Sequence, residues 1–314
     1  MSAADARVVL TSLAQAEALV EADGLDLVAV ALIVSEALGE DLGGRGVLPT
    51  GTGAGLDVTS VATIDVDARA RGQFVARRPG TVAGLSVAAY VVALVAEPAG
   101  PLQISVRARD GERVEVGDVL LEVSANTRAL LLAERIALNL LTLMSGTATA
   151  TQAWVDALAG TGTRVRDSRK TLPGLRMLQK YAVRVGGGVN HRMSLADAAL
   201  IKDNHVLAAG GVVPAFTRVR AAFPDLWVQV EVTTAAQARD VVAAGARDVL
   251  LDNMDLEQMA AVVEELRGRS TFEASGGLTL ATAIAVAATG VDFIAVGAIT
   301  HSAPILDIAL DLTD

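Results

Sequence analysis

The sequence predicts an α/β protein whose second half forms the wall of a parallel barrel. Short apolar runs that read as strands end at Glu231, Asp252, Ser275 and Gly297, so they recur every 21 to 23 residues. Apolar residues at helical spacing separate them. Strands that alternate with helices at a regular period are typical of parallel βα units, and Gly or Asp at the strand ends favours a barrel.

The remaining elements of that half follow from the same patterns. We expect helices at residues 234–244, 255–267 and 279–289, between the strands. We expect residues 163–166 and 198–202 to form earlier strands of the same barrel. In such barrels the reacting groups stand at the carboxyl ends of the strands.

The first half mixes helices with alternating strands. Residues 1–22 and 27–38 are predicted to be helices, and strands are expected from Arg71 and over 102–108. A buried helix is predicted at 86–96 and a long one at 127–144. The dipeptide Asp110-Gly111 predicts a hairpin turn.

The glycine-rich segment at residues 39–60 contains the sequence GTGAG, which is superficially similar to a nucleotide-binding loop. It neither follows a strand nor opens an apolar helix, so it is predicted to be a surface loop.

Composition and charge exclude several classes of protein. The 314 residues are 52% apolar and 20% charged, with a net charge of −10, which argues against nucleic acid as a partner. The uncharged run at 79–96 contains Pro and Gly and favours a turn and buried helix over a membrane span, so no membrane association is expected. The absence of cysteine and of a signal-peptide pattern leads us to expect a cytoplasmic location.

A cationic stretch runs from Arg164 to His205. It contains three acidic residues and all three lysines of the chain, and its net charge is +6 in an acidic protein. Turn signals interrupt the cations, which favours an anion-binding site over the alternative of a solvated basic face. The cations are Arg164, Arg166, Arg169, Lys170, Arg176, Lys180, Arg184, Arg192 and Lys202.

The lysines are distinctive because arginine predominates elsewhere. Where composition favours Arg, a remaining Lys indicates a site that needs a compact ammonium group. We therefore expect Lys202→Arg to be damaging. Lys180, which is predicted to lie on a helix after PGLR, should tolerate Arg better.

The motifs of this stretch resemble those of one enzyme family. RKTLPGLR, KYAV, GGGVNHR and LIKDNH, in this order and spacing, resemble quinolinate phosphoribosyltransferase, and ER..LN with SG.AT in the long helix matches as well. The resemblance implies an incomplete (β/α) barrel of parallel strands with an N-terminal α/β sandwich domain. It implies domains at 1–145 and 146–300, and a C-terminal segment, 301–314, that packs on the first domain.

The resemblance also implies an activity and its substrates. Phosphoribosyl transfer from PRPP to quinolinate, with decarboxylation, would yield nicotinate mononucleotide, pyrophosphate and CO₂ for NAD biosynthesis. The family acts as a homodimer, in which Arg135 would reach the neighbouring subunit's active site. The expected quinolinate-binding residues are Arg135, Arg169, His191, Arg192 and Lys202.

The strand ends supply the other candidate residues. Glu231 and Asp252 are expected to hold Mg²⁺, although Asp252 could equally be a helix cap. Late-strand loops are the usual phosphate cup of barrels, although SGG could be a simple tight turn. The expected PRPP-binding residues are Lys170, Glu231, Asp252, Ser275, Gly276, Gly277, Gly297 and His301, and the expected catalytic residues are Lys170, Lys202, Glu231 and Asp252.

Two positions depart from the family pattern. Ser168 replaces an expected Thr and keeps the hydroxyl group. Gln229 replaces an expected Glu and should share a face with Glu231, so it would remove a negative charge near the metal. Two alternative functions stay open: a related phosphoribosyltransferase for another heteroaromatic acid, and a non-catalytic sensor of an anionic metabolite.

Overall fold

The computed structural model describes residues 7–44 and 55–313. These residues form two compact units. The first unit contains residues 7–44, 55–149, 173–186 and 303–313, and the second contains 150–172 and 187–302. The segment 173–186 falls inside the expected barrel range of 146–300, yet it belongs to the first unit.

The elements follow in chain order. The strands are β1 (Val8–Leu10), β2 (Arg69–Ala76), β3 (Gly80–Thr81), β4 (Gln103–Val106), β5 (Arg113–Val114), β6 (Val119–Asn126), β7 (Arg164–Arg166), β8 (Ala199–Ile201), β9 (Val228–Val232), β10 (Asp248–Asp252), β11 (Thr271–Ser275), β12 (Phe293–Ala295) and β13 (Ile308–Thr313). The α-helices are α1 (Leu13–Ala22), α2 (Leu27–Asp41), α3 (Val58–Thr63), α4 (Leu85–Ala96), α5 (Thr127–Ala157), α6 (Arg176–Val185), α7 (Asp203–Ala209), α8 (Val212–Ala222), α9 (Ala235–Ala243), α10 (Leu256–Leu266), α11 (Ala283–Ala287) and α12 (Ala298–His301).

The first unit is built on an antiparallel sheet in the order β1-β4-β6-β2-β13. Helix α4 is buried along most of its length, and the helix predicted at 86–96 is thereby confirmed. In the part of the chain described here, α5 alone is long and apolar enough to cross a membrane. Within the protein, 67% of its most apolar window is buried, as is usual for a core helix.

The prediction of one helix over residues 1–22 is wrong in its first part. Residues 8–10 form β1, which pairs antiparallel with β4, and the helix begins at Leu13. The run Val-Val-Leu has β-branched side chains that suit a strand. Ser12 then caps α1, because its hydroxyl group accepts the N–H of Gln15. Residues 1–6 lie outside the described residues.

The predicted hairpin at Asp110-Gly111 is also wrong. The turn is present, but β4 pairs with β1 and β6, whereas β5 pairs with β3. The Asp110 carboxylate instead accepts the N–H groups of Gly84 and Leu85 and the hydroxyl of Tyr181. It thus caps α4, whose N-cap residue is a glycine with no side chain to do so.

The glycine-rich segment is only partly a loop. Residues 45–54 lie outside the described residues, so four of the five residues of GTGAG have no structural account. Asp57 caps α3 by accepting the N–H groups of Thr59 and Ser60. The DVTS motif is therefore a helix start, and the predicted surface loop ends earlier than residue 60.

The second unit confirms the incomplete parallel barrel. Its sheet runs in the order β7-β12-β11-β10-β9-β8, with every neighbouring pair parallel. Val189 adds a parallel bridge to Arg166 beside β7. Among the described strands, β7 and β8 do not pair with each other, which leaves the barrel open. The helix expected at 279–289 is a 3₁₀ turn, Leu280–Thr282, followed by the short α11.

The expectation that Lys180 tolerates Arg does not fit its environment. Lys180 lies on α6, as predicted, but its side chain is fully buried in the first unit. A close-packed interior has no room for a larger planar head group. Lys202, by contrast, has a side chain that is 47% exposed.

Candidate active site

A pocket of about 680 Å³ opens at the carboxyl ends of the barrel strands. Side chains alternate in direction along a strand, so every second residue points into the barrel. The residues that line the pocket follow this rule: they include Leu200 and Lys202 on one strand end, Leu250 and Asp252 on another, and Glu273 and Ser275 on a third. The strand order thus gathers residues that are far apart in sequence.

Two arginines form the cationic side of the pocket. Arg169 follows β7, and Arg192 lies in the loop before β8. Burial lowers the pKa of Arg192, and the nearby positive charge of Arg169 lowers it further. Arg192 Nη1 donates to the carbonyl of Ala198 at 2.8 Å, and the buried Arg169 Nε has no acceptor among the described residues. Two partly desolvated cations that repel each other favour a ligand with two negative charges.

Hydrogen bonds to the backbone of Lys170 fix its position, and the residue lines the pocket. Its N–H donates to the hydroxyl of Ser168 at 3.1 Å, and its carbonyl accepts from Thr300 Oγ1 at 2.8 Å. Ser168 therefore supplies the hydroxyl group that was expected from a threonine. The Lys170 stem lies against Gly297, where an added Cβ would be 3.0 Å from its Cδ.

The two predicted carboxylates line the pocket from neighbouring strands, β9 and β10. Lys202 Nζ and Glu231 Oε2 are 2.5 Å apart, so the ammonium and carboxylate form an ion pair in this structure. Asp252 Oδ2 accepts from the side chain of Asn253 at 2.8 Å. Asn253 has a positive φ of 52°, and its backbone N–H donates to the carbonyl of Ser275.

The turn after β11 has the features of a phosphate cup. Gly276 and Gly277 have φ values of 97° and 62°, which favour glycine. A Cβ at Gly276 would lie 2.2 Å from Asn253 Oδ1, so this position has no room for a side chain. The bare backbone lines the pocket beside Ser275, and Gly297 and His301 line it as well. A backbone turn of this kind can receive a phosphate.

His191 lines the pocket but uses both ring nitrogens inside the protein. Its Nδ1 accepts the backbone N–H of Arg192 at 2.7 Å, and its Nε2 lies 2.7 Å from Gln229 Oε1. The fully buried Asp167 accepts the backbone N–H of His191 and the side-chain amide of Asn190. The loop is therefore fixed beside Arg192.

A polar layer beneath the pocket was missed by the sequence reasoning. Arg166 Nη1 pairs with Glu273 Oε2 at 2.6 Å, and Gln229 Nε2 lies 3.3 Å from the same oxygen. The Arg166 guanidinium is 3.5 Å from the centre of the Phe293 ring. Burial raises the pKa of the Glu273 carboxyl, and Arg166 opposes this shift. The sequence does contain a sign of this layer: Glu273 lies inside the apolar strand TFEAS, two residues before Ser275.

Arg135 does not line this pocket. It lies on α5 in the first unit, and its side chain is 64% exposed. Arg135 Nη2 lies 3.7 Å from Glu134 Oε1. This pair is long and exposed, so it contributes little stability. The pocket brings together all the other predicted site residues.

Known proteins share both the sequence and the fold. Residues 57–145 match the family model for the N-terminal domain of quinolinate phosphoribosyl transferase, and residues 147–311 match its C-terminal domain. The chain is 51% identical to nicotinate-nucleotide pyrophosphorylase (carboxylating) of Mycobacterium leprae, over 82% of this chain and 92% of that protein. A probable nicotinate-nucleotide pyrophosphorylase (carboxylating) of Synechocystis is 39% identical, over 78% and 83%.

A solved structure gives the same result. The nicotinate-nucleotide pyrophosphorylase of Francisella tularensis superimposes with a TM-score of 0.82 at 36% identity, covering 91% of this chain and 96% of that one. The motif resemblance is thereby confirmed: the chain belongs to the quinolinate phosphoribosyltransferase family.

Proposed function

We propose that this protein transfers the phosphoribosyl group of PRPP to quinolinate and releases pyrophosphate and CO₂, giving nicotinate mononucleotide for NAD biosynthesis. The observation that carries the proposal is that Arg169 and Arg192 line the same pocket, close enough for their charges to repel. Quinolinate has two adjacent carboxylates, which two guanidinium groups can bind in fixed geometry.

The chemistry divides between the walls of the pocket. The pyridine nitrogen attacks the anomeric carbon of PRPP, the bond to the pyrophosphate oxygen breaks, and positive charge moves onto the ring. The carboxylate beside that nitrogen then leaves as CO₂, its electron pair stays on the ring carbon, and a proton replaces it. Lys170, which lines the pocket, would stabilise the leaving pyrophosphate, and the protein would act by positioning and by charge.

The Lys202–Glu231 ion pair suggests how substrate binding changes the site. A quinolinate carboxylate that reaches Lys202 competes with Glu231 for the ammonium group. A carboxylate released in this way is available to a cation that accompanies pyrophosphate. Lys202 would then contact quinolinate while Glu231 turns to the PRPP side.

We propose Mg²⁺ as the metal. The described residues contain no group of three or more His, Asp or Glu side chains suited to a metal. Mg²⁺, however, is usually held by one or two carboxylates together with substrate phosphates, and Glu231 and Asp252 provide that donor set. Bound there, the metal would neutralise charge on the pyrophosphate group.

Substitution of the two carboxylates tests the metal assignment. Glu231→Gln and Asp252→Asn should raise the Mg²⁺ concentration needed for half-maximal turnover and lower kcat by roughly tenfold or more, because each removes a charged ligand. Calorimetric binding of quinolinate alone should be largely retained. Asp248→Asn, at the other end of β10, is the matched control. An unchanged metal requirement would make both residues structural caps.

We also propose a homodimer in which Arg135 serves the partner's pocket. Its guanidinium is exposed in the single chain, and among the described residues its ion pair is the weak one with Glu134. Subunit mixing tests the proposal: Arg135→Ala and Lys170→Ala homodimers should each be nearly inactive. Their heterodimer has one site with both defects and one intact site, so it should recover about half the wild-type activity, and a random mixture about a quarter. If heterodimers form and remain inactive, Arg135 acts within its own chain.

The assay that decides the function measures both products. Purified protein with quinolinate, PRPP and Mg²⁺ should release CO₂ and pyrophosphate in equal amounts. Nicotinate in place of quinolinate should give little product, because one carboxylate does not satisfy both arginines. Comparable use of nicotinate would favour the phosphoribosyltransferase for another heteroaromatic acid, and binding without turnover would favour the sensor.

A further inference from the structure

The side-chain amide of Gln229 lies beneath the pocket, between the ring of His191 and the carboxylate of Glu273. Arg166, Gln229 and Glu273 come from β7, β9 and β11, and all three are buried. Alternate strands of a barrel contribute side chains to one layer of its interior. Bulky apolar residues usually fill such layers, so a polar layer here calls for a reason beyond packing.

The carboxylate of Glu273 fixes which way the Gln229 amide points. Glu273 Oε2 accepts from Arg166 at 2.6 Å, and a carboxylate can only accept. The Gln229 atom at 3.3 Å from this oxygen is therefore the NH₂ group. Its carbonyl oxygen consequently points the opposite way, toward His191 at 2.7 Å. His191 can thus donate to Gln229 and Gln229 to Glu273, and Arg166 donates to the same Glu273 oxygen.

The hydrogen-bond partners of the two His191 ring nitrogens indicate the same tautomer. Gln229 Oε1 is an acceptor, so His191 Nε2 must carry the proton and donate it. The backbone N–H of Arg192 points at Nδ1 from 2.7 Å, so Nδ1 must be unprotonated. The ring also packs against Trp227, with centroids 5.1 Å apart. Two independent hydrogen bonds therefore specify the neutral Nε2–H form.

We propose that Gln229 is a positioning residue for quinolinate binding: its amide holds His191 as the Nε2–H tautomer, and the His191 ring holds the backbone of Arg192. The proposal rests on the assignment of Arg192 to quinolinate. The departure at this position adds a donor to the layer, because the glutamine NH₂ group donates to Glu273, which an ionised glutamate could not do.

Nitrogen NMR of the imidazole rings tests the arrangement without an activity assay. The chain has three histidines, so ¹⁵N-labelled His191 can be assigned with His191→Asn, and His205 and His301 serve as internal references. In the wild type, His191 should show a protonated Nε2 and an unprotonated Nδ1. A protonated Nδ1 in the wild type would overturn the proposal, whether or not quinolinate is turned over.

Variants at 229 separate positioning from packing. Gln229→Met keeps the length but removes both hydrogen bonds of the amide. Only the backbone N–H of Arg192 then favours the Nε2–H form, so part of the population should change tautomer. The KM for quinolinate should rise about tenfold, the effect of roughly one lost hydrogen bond, with the KM for PRPP unchanged. Gln229→Glu keeps an acceptor opposite Nε2 and should restore the single tautomer. Gln237→Met, on the surface helix α9, is the matched control and should change neither measurement.

The results decide the proposal in each case. Retention of the single tautomer and of the quinolinate KM in a folded Gln229→Met protein overturns it, as does an equal rise in both KM values. If Gln229→Met does not fold, the wild-type tautomer and the Gln229→Glu spectrum decide. Failure of the wild type to release CO₂ from quinolinate contradicts the proposed function and leaves the tautomer result valid.

Discussion

The cationic stretch from Arg164 to His205 is one block in the sequence but serves two different units. Residues 173–186 belong to the first unit, and their cations are Arg176, Lys180 and Arg184. The flanking residues belong to the second unit, where four cations line the pocket at the strand ends: Arg169, Lys170, Arg192 and Lys202. Charge density alone therefore does not identify the cations that line the pocket.

The difference shows where a cation must lie to be available to a ligand. Those of the pocket stand where a parallel strand ends or in the loop beside it, with neighbouring charges that a ligand can satisfy. Lys180 has the same chemistry but is fully buried on a helix. A lysine that persists in an arginine-rich protein can therefore mark either a site or a tightly packed interior.

The largest expected effect comes from the paired arginines. Arg169→Ala or Arg192→Ala should lower kcat/KM for quinolinate, because each removes a charge-assisted contact. The fall should correspond to a loss of roughly 2–4 kcal/mol of transition-state stabilisation, while PRPP binding is much less affected. Arg184→Ala removes an exposed arginine of the first-unit segment and is the control. Steady-state kinetics, with the concentration of each substrate varied in turn, measures kcat/KM for quinolinate and for PRPP in all three variants. Similar losses in all three variants would abolish the distinction between the two parts.

The two lysines sharpen the comparison. Lys202→Arg should lower kcat/KM for quinolinate by about 10- to 100-fold with little change in unfolding free energy, because its side chain is half exposed and its compact ammonium fits Glu231. Lys180→Arg should instead lower the unfolding free energy by roughly 1–3 kcal/mol through overpacking. Urea unfolding and kinetics on both variants measure the two effects. The reverse pattern would mean that burial does not separate their roles.

The smallest effect concerns the α4 cap in the first unit. Tyr181→Phe removes one donor to Asp110 and should lower the unfolding free energy at neutral pH by about 1 kcal/mol. Burial raises the pKa of Asp110 above its ordinary value of 3.8. The stability contributed by the protonated group is thus fully present below 3.8 and is lost as pH rises through the folded-state pKa.

The Tyr181 hydroxyl opposes this shift, so Tyr181→Phe should move the loss of stability to higher pH. Unfolding measured from pH 3 to 8 checks the direction. Asp110→Asn, which cannot ionise, should show no such pH dependence from this position.

The sequence predicts features that depend on neighbouring residues along the chain, but not those that depend on which strands are neighbours in space. The repeat of strand ends at Glu231, Asp252 and Ser275 predicted the barrel, because apolar period and turn residues are local properties. The contact of Gln229 with His191 and Glu273 was not predictable, because it depends on which strands are neighbours. Gln229 was expected to affect a metal beside Glu231, whereas its side chain points into the layer beneath.

The hairpin error has the same origin. Asp110-Gly111 does form a turn, but the strands on either side of it pair with other strands of the first unit and not with each other. The strand at Val8–Leu10 was missed because three residues give no clear period. Arg135 lies on an apolar helix, and its side chain is nevertheless 64% exposed.

The strand β13 has a consequence for the order in which the protein folds during synthesis. It pairs with β2 in the first unit, and the residues before it pack on α5, where a Cβ at Gly146 would lie 2.2 Å from the carbonyl of Pro304. The ribosome makes every barrel strand before β13. The antiparallel sheet of the first unit, whose strands are synthesised first, is thus completed only after the barrel. Until β13 is made, β2 has an unpaired edge that a chaperone could protect.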